Sequence, residues 1–188
     1  MNVFPSRTAT ITTDLNNRAG VKVAARETTI VAALAFLIPF ALGGPQLIVG
    51  SLVNAALVYA ALNVSAGRAL PVVFMPSIAA LGRGVLFGAL TPFLVIMIPF
   101  IWAGNALLVY SIKMMSSRNV PLWISLPCAA AIKAGWLFAF ASLFVQLDLL
   151  PVAMLSGMGL IQLSTALIGA AIAAGATAAV NGLVKSRR

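Results

Sequence analysis

The chain has 188 residues, 62% of them hydrophobic and 8% charged, and its twelve Lys and Arg against three Asp and Glu leave a net charge of +9. A soluble domain carries about 25% charged residues, so this composition excludes a soluble globular fold; the ionisable side chains are too few to cover the surface of a chain this long. With no histidine and a single cysteine, Cys128, it also excludes zinc sites built on His and Cys, His-based triads, His-ligated haem and an internal disulfide.

Residues 1–26 are polar and lack hydrophobic periodicity, with Thr8, Thr10, Thr12, Thr13, Asn16 and Asn17 set among arginines. They read as a cytoplasmic N-terminal tail whose end has room for a short surface helix. The first apolar run starts too late for a signal peptide and reads as a retained span.

A membrane crossing needs about 20 apolar residues, and on that ruler the spans fall near 27–43, 46–66, 69–90, 92–114, 120–146 and 158–184. The expected fold is all-α: an integral membrane bundle of six transmembrane helices over 27–184, with a basic cytoplasmic tail at 185–188. Gly43, Gly44 and Pro45 make the first two spans a hairpin. Residues 149–184 as one helix would run about 50 Å, so Gly157 and Gly159 are the expected break, leaving Pro151–Ser156 as a short outer cap.

The cations sit on helix flanks. Arg7, Arg18, Lys22 and Arg26 precede the first span, Arg68 lies between the second and third, Lys113 and Arg118 between the fourth and fifth, and Lys185, Arg187 and Arg188 close the chain. Cytoplasmic loops collect Lys and Arg, so six spans put both termini in the cytoplasm and the chain in the cell (inner) membrane as a multi-pass protein. Nucleic-acid binding would instead want these charges on one face among aromatics; no nucleic-acid partner is expected.

Pro39, Pro71, Pro76, Pro99 and Pro127 fall inside spans. Each removes a backbone donor and frees a carbonyl one turn earlier, which kinks the helix or offers the carbonyl to a neighbour, water or a ligand. In the last span Ala166, Ala170, Ala174 and Ala178 recur every fourth position. Such a stripe lets helices approach closely, either within the bundle or as a groove for a partner's helix at Ala170 and Ala174.

Two cations lie where charge is expensive, Arg83 in the third span and Lys133 near the middle of the fifth. A cation at a helix centre costs about 2.5–3.5 kcal/mol on insertion scales. The only acids, Asp14, Glu27 and Asp148, lie at or outside span ends. One reading has an anionic ligand meeting Arg83 as a fork and Lys133 as a point charge; the other has Arg83 snorkelling outward and Lys133 bonding to freed carbonyls. Gln46, Gly50 and Asn54 form a stripe on the second span, Trp136, Phe140 and Phe144 form another running outward from Lys133, and Gln162 and Thr165 follow the cap. The candidate substrate-binding residues are therefore Gln46, Asn54, Arg83, Lys133, Trp136 and Gln162. The aromatic stripe either walls the pocket or packs between helices, and Asn63 and Asn105 read as interhelical hydrogen bonds.

The length, the six spans and the stretches Gly43–Asn54 (GGPQLIVGSLVN), Pro76–Gly84 (PSIAALGRG) and Ile98–Asn105 (IPFIWAGN) resemble the substrate-binding S components of energy-coupling factor transporters, in particular those of unassigned substrate. The resemblance covers nearly the whole chain as a pattern. It implies a capped pocket near the outer face, a transmembrane scaffold (T) subunit and two cytoplasmic ATPases. It also implies a docking motif of small residues on the first helix, where this chain has Thr28 with Ala32 and Thr29 with Ala33.

The chain has no G-x-x-x-x-G-K-[ST] phosphate loop and no buried acid or His for a proton relay. It reads as a non-enzyme without cofactor or metal: a capture subunit for a small, anionic metabolite or vitamin, surrounded by membrane lipid. The alternative is a membrane subunit that anchors or assembles a larger complex without transporting anything.

Overall fold

The computed structural model describes the backbone of residues 7–84 and 88–186, and side chains for 25–84, 90, 92–180 and 182. Seven α-helices follow in order: α1 Arg7–Leu42, α2 Gln46–Asn63, α3 Leu70–Arg83, α4 Leu94–Ser117, α5 Leu122–Gln146, α6 Met154–Met158 and α7 Leu160–Ser186. Short 3-10 turns at Ala66–Ala69 and Gly88–Phe93 lead into α3 and α4, and there is no strand among the described residues.

Among the described residues, five helices are long and apolar enough to cross a membrane, and only 22% to 44% of the residues in those stretches are buried inside the protein. Ile30, Leu34, Leu37, Ile48, Val95, Phe138, Leu143, Ile168 and Ile172 face outward. A surface this apolar is matched by hydrocarbon rather than water, and the chain is a multi-pass membrane protein.

Contacts between helix ends fix the topology. Arg83 donates to the Phe40 carbonyl, so α1 and α3 finish together. Gln46 at the start of α2 reaches Gly157 in α6. At the other end Lys113 donates to the carbonyls of Ala61 and Val64, joining the ends of α4 and α2, and Asn63 reaches Thr177 on α7. The long helices therefore alternate up and down, and both described ends of the chain leave from the same end of the bundle.

Two boundaries and the placement of one proline differ from the sequence expectation. Residues 7–26 are helical and continuous with the first span, because nothing between Arg7 and Leu42 breaks the helix and Pro39 is accommodated within it; this adds about 30 Å of helix before Glu27. The third span, expected over 69–90, stops at Arg83 because Gly84 takes a left-handed conformation (φ +72°) and its N–H closes on the Ala80 carbonyl. At 14 residues, α3 is about 21 Å long and shorter than the hydrocarbon core. Pro71 occupies the first turn of α3 rather than its interior, where its missing N–H removes no helical hydrogen bond. The break in the last span falls where glycine predicts it, with α6 ending at Met158 and α7 starting after Gly159.

Helices α2 and α7 pack against each other at short range. A Cβ on Gly169 would lie 2.6 Å from Ala55 N and Ser51 O, so only glycine permits this approach. Ala166, Ala170 and Ala173 are buried along the same seam. Two apolar clusters fill the bundle: Leu57, Val58, Val72, Leu108, Ile112 and Ala170 belong to one, and Leu94, Met97, Leu137, Met154 and Met158 to the other.

Candidate functional site

A cavity of about 70 Å³ opens between α1, α2, α3, α4, α5 and α7. Gln46, Val49, Gly50, Val53 and Asn54 line it from one face of α2, at the i, i+3, i+4, i+7, i+8 spacing of a helical stripe. Pro39, Ser77, Ala80, Leu94, Ile101 and Asn105 add the α1, α3 and α4 walls, and Lys133, Gln162 and Thr165 complete it.

Lys133 is the chemical centre of this cavity. It is 3% exposed, and its ammonium donates to Asn54 Oδ1 at 2.6 Å. Asn54, 1% exposed, donates in turn through Nδ2 to Thr165 Oγ1 at 3.0 Å, and the Thr165 hydroxyl donates to the Gln162 carbonyl at 3.1 Å. Every donor in this chain points the same way, from α5 through α2 to α7, which fixes the Asn54 amide with its oxygen toward the lysine. An ammonium has three donors, and Asn54 takes one. No acid lines the cavity among the described residues.

The Gly50 and Gly169 contacts set this register. A Cβ on Gly50 would lie 2.9 Å from Thr165 Cγ2, so the close seam between α2 and α7 is what carries Thr165 to Asn54.

Around the lysine, Ser77, Asn105 and Gln46 are committed to other partners. Ser77 accepts from Trp102 Nε1 at 2.6 Å and donates to the Phe74 carbonyl at 3.1 Å. Asn105 donates to the carbonyl of Val73, three residues before Pro76, at 3.0 Å. Gln46 donates to the Gly157 carbonyl at 3.2 Å and so ties the α6 segment to α2 over the cavity. The Gln162 side chain, half-buried on the lining, makes no hydrogen bond to another described residue.

Four of the six candidate binding residues, Gln46, Asn54, Lys133 and Gln162, thus meet at one cavity. Two do not. Arg83 is exposed one turn beyond Ala80 and directs its guanidinium to the Phe40 and Ala41 carbonyls at 2.6 and 3.4 Å; it caps the end of α1, and the shared Arg83–Lys133 site is not assembled. Trp136 turns toward α4, donates to the Phe100 carbonyl at 3.0 Å and packs in a cluster with Phe100, Phe140 and Phe144. Lys133 also differs from its expected alternative, since its partner is a side-chain amide and not a freed carbonyl. Thr165 had a polar signal after the cap in the sequence. Ser77 had only its place after Pro76, and Asn105 read as a plain interhelical bond although it also lines the cavity.

The candidate docking residues separate as well. Thr29 and Ala33 are exposed and line an outward groove between α1 and α3 together with Phe36, Leu37, Pro71 and Met75. Ala170 is buried in the α2–α7 seam, where the small-residue stripe serves packing within the bundle, and Ala174 is half-buried beside it. Ala174 also lines a second outward groove with Leu62, Asn63, Thr177 and Ala178.

No protein-family pattern, curated protein or solved structure matches this chain.

Proposed function

We propose that this protein is a membrane capture subunit for a small anionic solute, acting as the S component of an energy-coupling factor uptake transporter in the cell membrane, with both termini cytoplasmic. The observation that carries the reading is the buried Lys133 ammonium, which lines a cavity and, among the described residues, meets no acid there and has a single hydrogen-bond partner. Burying a charge is costly unless it is paired and fully hydrogen-bonded, and a captured anion supplies what the protein leaves out. The excess of cations at the end from which both chain ends emerge supports the orientation. The Thr29–Ala33 groove supports docking to a T subunit, which would bring two ATPases.

A pocket for a vitamin-sized ligand measures several hundred Å³. The cavity, at about 70 Å³, favours a small metabolite over a vitamin. The second reading, an assembly or anchoring subunit, draws on the same outward groove, which would receive a partner's helix whether or not a solute is bound.

Purification in mild detergent followed by mass spectrometry of the extract tests the proposal. A co-purified small anion that is lost from a folded Lys133→Met protein is the expected result. An empty protein with no ATPase partner on pull-down, or an anion retained in full by Lys133→Met, would count against capture at this site.

A further inference from the structure

We infer that the cavity around Lys133 selects short-chain monocarboxylates of about four to six heavy atoms, taking the carboxylate on the ammonium and the alkyl tail on its apolar walls. This deepens the capture reading and rests on it.

Size sets the first limit. Pockets for drug-sized ligands run to several hundred Å³, so a cavity of about 70 Å³ suits an acetate-to-butyrate series better than a large ring system. Charge sets the second. Lys133 is the only ionisable residue on the lining among the described residues, so a monoanion closes to a neutral pair, while a dianion leaves one negative charge in a low-dielectric interior.

Hydrogen-bond geometry sets the third limit. Asn54 Oδ1 holds the ammonium at 2.6 Å and is itself fixed by Thr165, which leaves two ammonium donors for the two oxygens of a carboxylate. Gln162 lines the same cavity without a hydrogen-bond partner among the described residues and offers an additional amide donor. Val53, Leu94 and Ile101 also line the cavity. A purely inorganic anion would leave those walls without a matching surface, whereas a two- or three-carbon tail covers them.

The test is titration calorimetry on the full chain in phosphatidylcholine nanodiscs, with acetate, propionate, butyrate, octanoate, succinate and nitrate as probes. Propionate and butyrate should bind at least about tenfold more tightly than octanoate, succinate and nitrate. Val53→Leu, which narrows the apolar wall and leaves the charge in place, should weaken butyrate more than acetate. Because the wild-type series and Val53→Leu decide size and charge, the outcome does not depend on whether Lys133→Met folds. Nitrate binding as tightly as propionate would overturn the role of the apolar wall. Succinate or octanoate binding to the wild-type protein as tightly as propionate would overturn the size and charge assignment and leave the capture reading standing. No binding of any probe, together with a ligand-free extract, would overturn both.

Discussion

Lys133 on α5 and Asn54 on α2 are joined by a 2.6 Å hydrogen bond, both side chains almost wholly buried, with no carboxylate among the described residues that line their cavity. The pair is asymmetric: one partner carries a charge that must be compensated, while the other is a neutral amide that is itself held by Thr165.

Removing either member should therefore have unequal consequences. Asn54→Ala leaves the buried ammonium without its acceptor and should destabilise the protein by about 1.5–3 kcal/mol, the range for hydrogen bonds to charged groups. Lys133→Met removes the charge together with its desolvation penalty and should leave stability near wild type or above it. Thermal unfolding in detergent, followed by tryptophan fluorescence, separates the two; equal losses from both variants would show that the ammonium is not under-compensated.

Arg83 binds carbonyls of α1 rather than the Lys133 cavity. Arg83→Ala should loosen the end of α1 and raise protease sensitivity near the α1–α2 turn, while changing solute affinity by less than about tenfold, or 1.4 kcal/mol. A loss of affinity comparable to that of Lys133→Met would restore Arg83 to the binding site.

At the α2–α7 seam, Gly169→Ala forces a Cβ against backbone atoms at 2.6 Å and should cost about 1–3 kcal/mol by overpacking. Gly175→Ala, on the same helix, would meet nothing within 4 Å and should be neutral or stabilising by about 1 kcal/mol through helix propensity. The difference in melting temperature between the two variants is the readout. Solute binding should fall with Gly169→Ala as well, since the seam positions Thr165 against Asn54.

Gln46 ties the α6 segment to α2 by one hydrogen bond to the Gly157 carbonyl, a contact contributing about 0.5–1.5 kcal/mol. Gln46→Ala should increase hydrogen–deuterium exchange across residues 154–159 and speed solute release, with little change in global melting. Unchanged exchange there would mean that the apolar packing of Met154 and Met158 alone holds the segment down.

Much of this architecture is legible along the chain. The Gly43-Gly44-Pro45 hairpin and the break near Gly157 and Gly159 follow from backbone chemistry that acts locally, and the Gln46, Gly50, Asn54 stripe follows from helical spacing. The third span was read too long because the apolar run continues through residues 85–90, whereas the positive φ of Gly84 ends the helix. The grouping of Arg83 and Trp136 with Lys133 fails for a different reason. Their depth along a helix can be counted in the sequence, but the direction in which each side chain leaves it depends on the neighbouring helices.

The sequence by itself determined that the chain lies in a membrane, that its helices alternate across it, and that Lys133 has no acid at its own depth, because composition and hydrophobic run length act on each segment separately. Only the tertiary structure decided that Asn54 is the partner of Lys133, that Arg83 caps α1, and that Ala170 is spent on packing inside the bundle. These depend on the register of α2 against α7, set by the close approach at Gly50 and Gly169, and such a register arises only when separate helices meet.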